Sequence, residues 1–211
     1  MMMIKEPVPS TDPEADETAD RITGVLLAAG AGRRAGGPKA LRVDPDGTSW
    51  LLRSITVLRD GGCDAVVVVV GSEADRARDV LAHSGLAADP DVTVVDAPDW
   101  QQGMGSSLRR GLFAAQRDRV AAVLVHLVDL PDVTAEVVRR LLRKAPGGPA
   151  VLTRATYGGR PGHPVLIGRD HLPSIISGLG GDTGAKDYLA QHNADGVECG
   201  DLASGRDRDG R

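Results

Sequence analysis

Residues 25–41 read VLLAAGAGRRAGGPKAL, a hydrophobic strand running straight into glycines, arginines and one lysine. Three phosphate-handling loops share that outline, and each has its own grammar. Gly30, Gly32 and Ala35 formally satisfy the dinucleotide fingerprint GxGxx[G/A]. That fingerprint needs a helix starting inside it and an acid about 20 residues on, at the tip of the second strand. Here Gly36, Gly37 and Pro38 break such a helix, and the second strand closes on Val70-Gly71-Ser72 without a carboxylate. A Walker loop requires GK[ST]. Lys39 follows Pro38, which has no N–H to give, and precedes Ala40. What remains is a longer loop draped over a triphosphate. Glycines let its backbone come close to the nucleotide, and Arg33, Arg34 and Lys39 spread positive charge along the phosphates.

Outward from this loop, apolar runs alternate with amphipathic ones. ITGVLLA (22–28), DAVVVVVG (64–71), DVTVVD (91–96) and VAAVLVHLVD (120–129) read as strands. The unbroken valines suit a parallel sheet covered on both faces. Between them WLLRSITVLRDGG, EADRARDVLAHSG, SSLRRGLFAAQRD and TAEVVRRLLRKA read as helices, the last with Thr134 as N-cap. After PAVLT (149–153) the rhythm breaks. YGGRPGHPVLIG reads as a glycine-cornered antiparallel excursion, followed by two short helices. The expected fold is α/β: a three-layer α/β/α sandwich on a Rossmann-like, mostly parallel sheet.

Composition narrows the function. With 211 residues, 41% of them hydrophobic, the chain suits one domain, expected over 21–200. Aromatics are 2%, so the core is aliphatic. Six acids against one base fall in residues 1–20, which leaves the body of this −4 chain nearly neutral. That first stretch reads as a disordered acidic tail, and 201–211 as a flexible C-terminal one. A neutral body poor in aromatics excludes a nucleic-acid binder, which needs a basic face and stacking platforms. Cys63 and Cys199 have no ligand spacing and read as ordinary thiols. No run approaches a membrane span, and the N-terminus lacks the order of a signal peptide, so the cytoplasm is expected.

The pattern LAAGxxxRxGxPKxL over Leu27–Leu41 resembles the signature of the MobA-like nucleotidyltransferases, and within them the molybdenum cofactor cytidylyltransferases. Four further segments resemble that family in its order: DAPDWQQGMGSSLRRGL (96–112), LVDLP (127–131), GGRPGHPVLIG (158–168) and GLGGDTGAKDYL (178–189). The resemblance covers roughly residues 22–190 and implies the fold type of the nucleotide-diphospho-sugar transferases. It implies CMP transfer from Mg-CTP to the phosphate of a molybdopterin-type acceptor, with Mg2+ as cofactor. An apo-molybdoenzyme or its chaperone is the implied protein partner. The LAAG of Leu27–Gly30, where related guanylyltransferases tend to read LAGG, favours CTP.

By that resemblance, Leu27, Ala28, Ala29, Gly30, Gly32, Arg34, Lys39, Ser106 and Ser107 bind the nucleotide. Arg34, Lys39 and Asp129 act in catalysis. Asp129 ends an apolar strand at the edge where open α/β sheets bind ligands, a position suited to a metal ion bridging phosphates. Asp182 is the second candidate metal ligand, or else the N-cap of a helix over 184–191. His163 and Lys186 fall at the acceptor; His163 could equally be a turn residue. Lys186 replaces the family's arginine, a point charge in place of a fork. Arg33 and Ala35 also depart from the family pattern. The rival readings are a GTP-using or other-acceptor enzyme of the same fold, and a nucleotide-binding sensor or cofactor chaperone without chemistry.

Overall fold

The computed structural model describes residues 21–33, 36–116, 120–145, 148–181 and 184–208. The acidic stretch 1–20 lies outside the described residues. Seven strands form one sheet in the order β3-β2-β1-β4-β6-β5-β7. They are β1 (Ile22–Ala28), β2 (Ala65–Val70), β3 (Val92–Asp96), β4 (Ala122–Leu127), β5 (Leu152–Tyr157), β6 (Arg160–Gly168) and β7 (Asp195–Glu198). Every neighbouring pair is parallel except those of β6, which runs against β4 and β5. The mostly parallel sheet with an antiparallel excursion is therefore present.

Helices α1 (Trp50–Gly61), α2 (Ala74–His83) and α4 (Ala135–Lys144) cover one face. Helices α3 (Met104–Ala115), α5 (Leu172–Gly178) and α6 (Lys186–Gln191) cover the other. The valine run of β2 shows why such strands lack polar alternation: Val66, Val68 and Val70 pack with α1 and α2, while Val67 and Val69 pack with α3. Helix α1 starts at Ser49, whose hydroxyl accepts from the Leu52 amide, and stops at left-handed Gly62. Among the described residues no helix is long and apolar enough to cross a membrane.

Several boundaries differ from expectation. Helix α3 begins at Met104, two residues before the expected Ser106. Strand β4 stops at Leu127, so Asp129 stands two residues beyond it. Thr134 holds the N-cap position of α4, yet its hydroxyl makes no capping bond. Helix α6 has Ala185 at its N-cap position, and Asp182, the expected cap or metal ligand, lies outside the described residues. Strand β7, a short polar edge, gives no hydrophobic signal. Residues 201–208, expected as a loose tail, bond to the body: Arg140 to Asp201, Ser204 to Asp132, and Arg208 to Asp44 and to the Asp129 carbonyl.

Candidate active site

Chain order sends β1 to β2 on one side, while β4 lies on its other side. The cleft at such a switch point opens at the carboxyl ends of the two central strands. Here it is a cavity of about 590 Å³. Leu27, Ala29, Gly30, Gly32 and Lys39 line it from the β1 side, Ser107 from α3, and Asp129 from beyond β4.

The loop after β1 is closed by its own backbone. The Gly37 amide donates to the Gly32 carbonyl at 3.1 Å. Gly32 has φ +56°, and a Cβ there would stand 2.0 Å from the Gly37 oxygen, so only glycine fits. A single turn, Lys39–Leu41, follows, and the next α-helix begins at Trp50. Among the described residues no α-helix opens within the glycine loop, which is where a dinucleotide fold requires one. At the tip of β2 the Ser72 amide donates to the Ala29 carbonyl at 2.9 Å. A Cβ on Gly71 would come within 2.8 Å of the Ala29 methyl, so Ala29 sits in a narrow place.

Lys39 Nζ donates to Asp129 Oδ2 at 2.8 Å. Both side chains are largely withdrawn from water, 16% and 18% exposed. The other carboxylate oxygen, Oδ1, is buried without a hydrogen-bond partner. A buried carboxylate oxygen left open in this way is costly unless a cation or donor meets it. The site thus fits a divalent cation at Asp129. Among the described residues no group of three His, Cys, Asp or Glu could hold a metal alone. A hard cation here takes its remaining ligands from phosphate and water, as Mg2+ does at nucleotides.

The expected residues do not all converge. Ala28 belongs to the core beneath α1, on the opposite face of the sheet from the Ala29 side chain. Ser106 is buried with its hydroxyl unpartnered and does not line the cavity, whereas its neighbour Ser107 does. Helical geometry separates them: adjacent residues of α3 point about 100° apart. Arg34 and Asp182 lie outside the described residues. The Gly105 amide bonds to the Gly181 carbonyl, which ties the 178–181 segment to the start of α3. His163 and Lys186 come together in a second, smaller cavity beside the first. His163 is followed by a cis proline peptide, and its carbonyl accepts from the Tyr157 hydroxyl at 2.6 Å. Burial, reinforced by Arg154 and opposed by Asp129, lowers its pKa to about 4, so the imidazole is neutral at pH 7.

Several lining groups were not among the expected site residues. Trp100 and Met104 line the cavity from WQQGM; the family resemblance of that segment was the signal for them, yet neither was singled out as a site residue. Asp207 arrives from the C-terminal segment, positioned when the Arg208 amide bonds the Asp129 carbonyl at 3.0 Å. That contact spans most of the chain, and no local pattern announces it. Asp44 anchors the same segment, since it accepts from Trp50, Arg53 and Arg208. Those partners, the Trp50 bond foremost, hold its carboxyl below the usual range.

A switch-point cleft, a glycine loop with lysine, and a carboxylate with one open oxygen define a nucleotide-binding α/β protein of the nucleotidyltransferase fold. The MobA-like NTP transferase domain matches residues 24–196, and the chain belongs to that family. It is 37% identical over 198 residues to a nicotine blue oxidoreductase of Paenarthrobacter nicotinovorans, covering 89% of this chain and 92% of that one. It is 26% identical to the Escherichia coli molybdenum cofactor cytidylyltransferase over 54% of each. The crystal structure of Mycobacterium tuberculosis Rv0371c superposes with a TM-score of 0.68 at 27% identity, covering 86% of this chain and 88% of that one. A second structure of that protein is a complex with manganese. The family and these neighbours are enzymes.

Proposed function

We propose that the chain transfers CMP from Mg-CTP to the phosphate of a molybdopterin-type acceptor, releasing pyrophosphate, in the cytoplasm. The observation that carries this reading is the Lys39–Asp129 pair at the carboxyl ends of β1 and β4, with Asp129 Oδ1 buried and open. The glycine loop and Lys39 receive the triphosphate, Arg34 adds charge along it, and Ser107 meets the nucleotide from α3. Asp129, assisted by Asp182, would hold Mg2+. Such a cation, when bound, screens the phosphate charge and orients the α-phosphorus. Lys39 then turns from Asp129 toward the charge that builds on departing pyrophosphate. A phosphate is nucleophile enough unaided, so positioning and electrostatics supply the catalysis. Ala29, pressed against the tip of β2, narrows the base pocket and favours the smaller pyrimidine. An apo-molybdoenzyme or its chaperone would receive the product.

A second reading follows from the 37% identity, over nearly the full length, to a protein named an oxidoreductase. This fold then serves a redox reaction on a nicotine-blue-like compound.

The deciding experiment measures pyrophosphate release with molybdenum-loaded molybdopterin, CTP against GTP, for wild type and Asp129→Ala. Release with CTP alone, and loss of about 10²-fold or more in the variant, is expected. No release with either nucleotide, together with turnover of nicotine blue in the presence of an added nicotinamide hydride donor, would turn the assignment to the second reading.

A further inference from the structure

The smaller cavity, about 90 Å³, shares Leu27 and Met104 with the nucleotide cleft. Its walls are aliphatic, and its polar groups are Arg154, His163 and Lys186. No carboxylate stands among the described residues that line it. Arg154 rises from the middle of β5, opposite Val165 of β6 and Gly196 of β7. Its Nε is buried without a hydrogen-bond partner. One terminal nitrogen makes a single long contact, 3.5 Å, to the Gly162 carbonyl. A half-buried guanidinium whose Nε has no partner, and whose single hydrogen bond is long, costs free energy until an anion meets it.

We propose that this cavity receives the phosphate of a phosphate-monoester acceptor, and that Arg154 is the residue that recognises it. Lys186 is the second cation. This rests on the nucleotidyl-transfer reading above. The space equals that of a few water molecules, so it takes the phosphate and leaves the rest of the acceptor outside. Two anions must meet in the reaction, and their repulsion opposes attack. The guanidinium fork binds two phosphate oxygens and neutralises their charge, leaving a third for the α-phosphorus. That oxygen's electron pair forms the new bond. The bond from the α-phosphorus to the bridging oxygen breaks, and its pair departs with pyrophosphate. The acceptor end adjoins the cleft that holds Asp129, because Leu27 and Met104 line both cavities.

The test titrates methyl phosphate into the full chain at pH 8, following the arginine Nε–H signals by NMR. A saturating shift of the Arg154 signal is expected in wild type. Arg154→Gln should raise the dissociation constant at least tenfold, with Mg-CTP affinity within twofold and the melting temperature unchanged. If that variant folds poorly, Arg154→Lys replaces it, expected to keep the charge and recover part of the affinity. Acetate should produce no saturating shift. Equal methyl phosphate affinity in wild type and variant overturns the proposal, as does acetate binding as tight as that of methyl phosphate. Binding through Arg154 without any Mg-CTP binding would leave the anion site standing and remove the transfer reading.

Discussion

Gly32 bears a constraint that a single methyl group would violate. With φ at +56° and the Gly37 oxygen where a Cβ would stand, the turn that closes the nucleotide loop has no room for a side chain. Gly32→Ala should cost about 1–3 kcal/mol of local strain. The loop sits at the rim of the cleft, so the loss should fall on nucleotide affinity more than on global stability. Calorimetric titration with CTP beside a thermal melt separates the two: weaker binding is expected with a melting temperature nearly unchanged. The neighbouring Lys39 illustrates a limit of reading residues singly. Its positive charge was plain in the sequence; its carboxylate partner, ninety positions away, was not.

At the scale of elements, the β5–β6 hairpin is held by a residue of neither strand. Glu198, at the end of β7, accepts from the amides of Gly159, Gly158 and Gly200 and from the Thr156 hydroxyl. Those donors lower its pKa to about 2. The sign follows from the depressed carboxyl: its contribution is complete above about 4.5 and lost as pH falls through about 2. Glu198→Gln should therefore speed amide exchange at Gly158 and Gly159 at pH 7, and lessen the acid dependence of stability in that window. Helix α3 poses a packing question instead. Gly111 lets it lie directly on the sheet, where a Cβ would come within 2.6 Å of Val25 and 2.8 Å of Val69. Gly111→Val should lift the helix at a cost of about 1–3 kcal/mol. Because α3 carries Ser107 into the cleft, urea unfolding and CTP affinity should suffer together.

Across the whole molecule, two histidines are held as neutral groups, His126 fully buried and His163 partly so. His126 lies mid-β4 opposite Leu26, its Nδ1 without a partner, and burial with His163 nearby lowers its pKa to about 3. His163 is lowered to about 4. The unfolded chain takes up protons from about 6.5. Stability is therefore greatest above that pH and declines as pH falls, because unfolding binds protons. Urea midpoints measured between pH 6.5 and 4.5, above the main range of the carboxylates, should fall, and His126→Leu should flatten the slope. The same burial keeps His163 neutral, so turnover should show no histidine-type inflection near pH 6.5.

Much of this was written locally. The central strands, their valine faces, helices α1, α2 and α4, the glycine hairpin and the exclusion of a dinucleotide loop all follow from periodicity and backbone chemistry, which act over a few residues. The family follows from five segments in order, and the same segments supply Lys39, Asp129 and His163 as the proposed site residues. Tertiary structure alone decided what meets what. It paired Lys39 with Asp129, turned Ala28 and Ser106 into the core while their neighbours faced the cleft, and brought Asp207 and Arg154 to two adjoining cavities. Those outcomes depend on strand order and on contacts between distant positions, set by packing over the whole sheet, and no short stretch of chain carries that information.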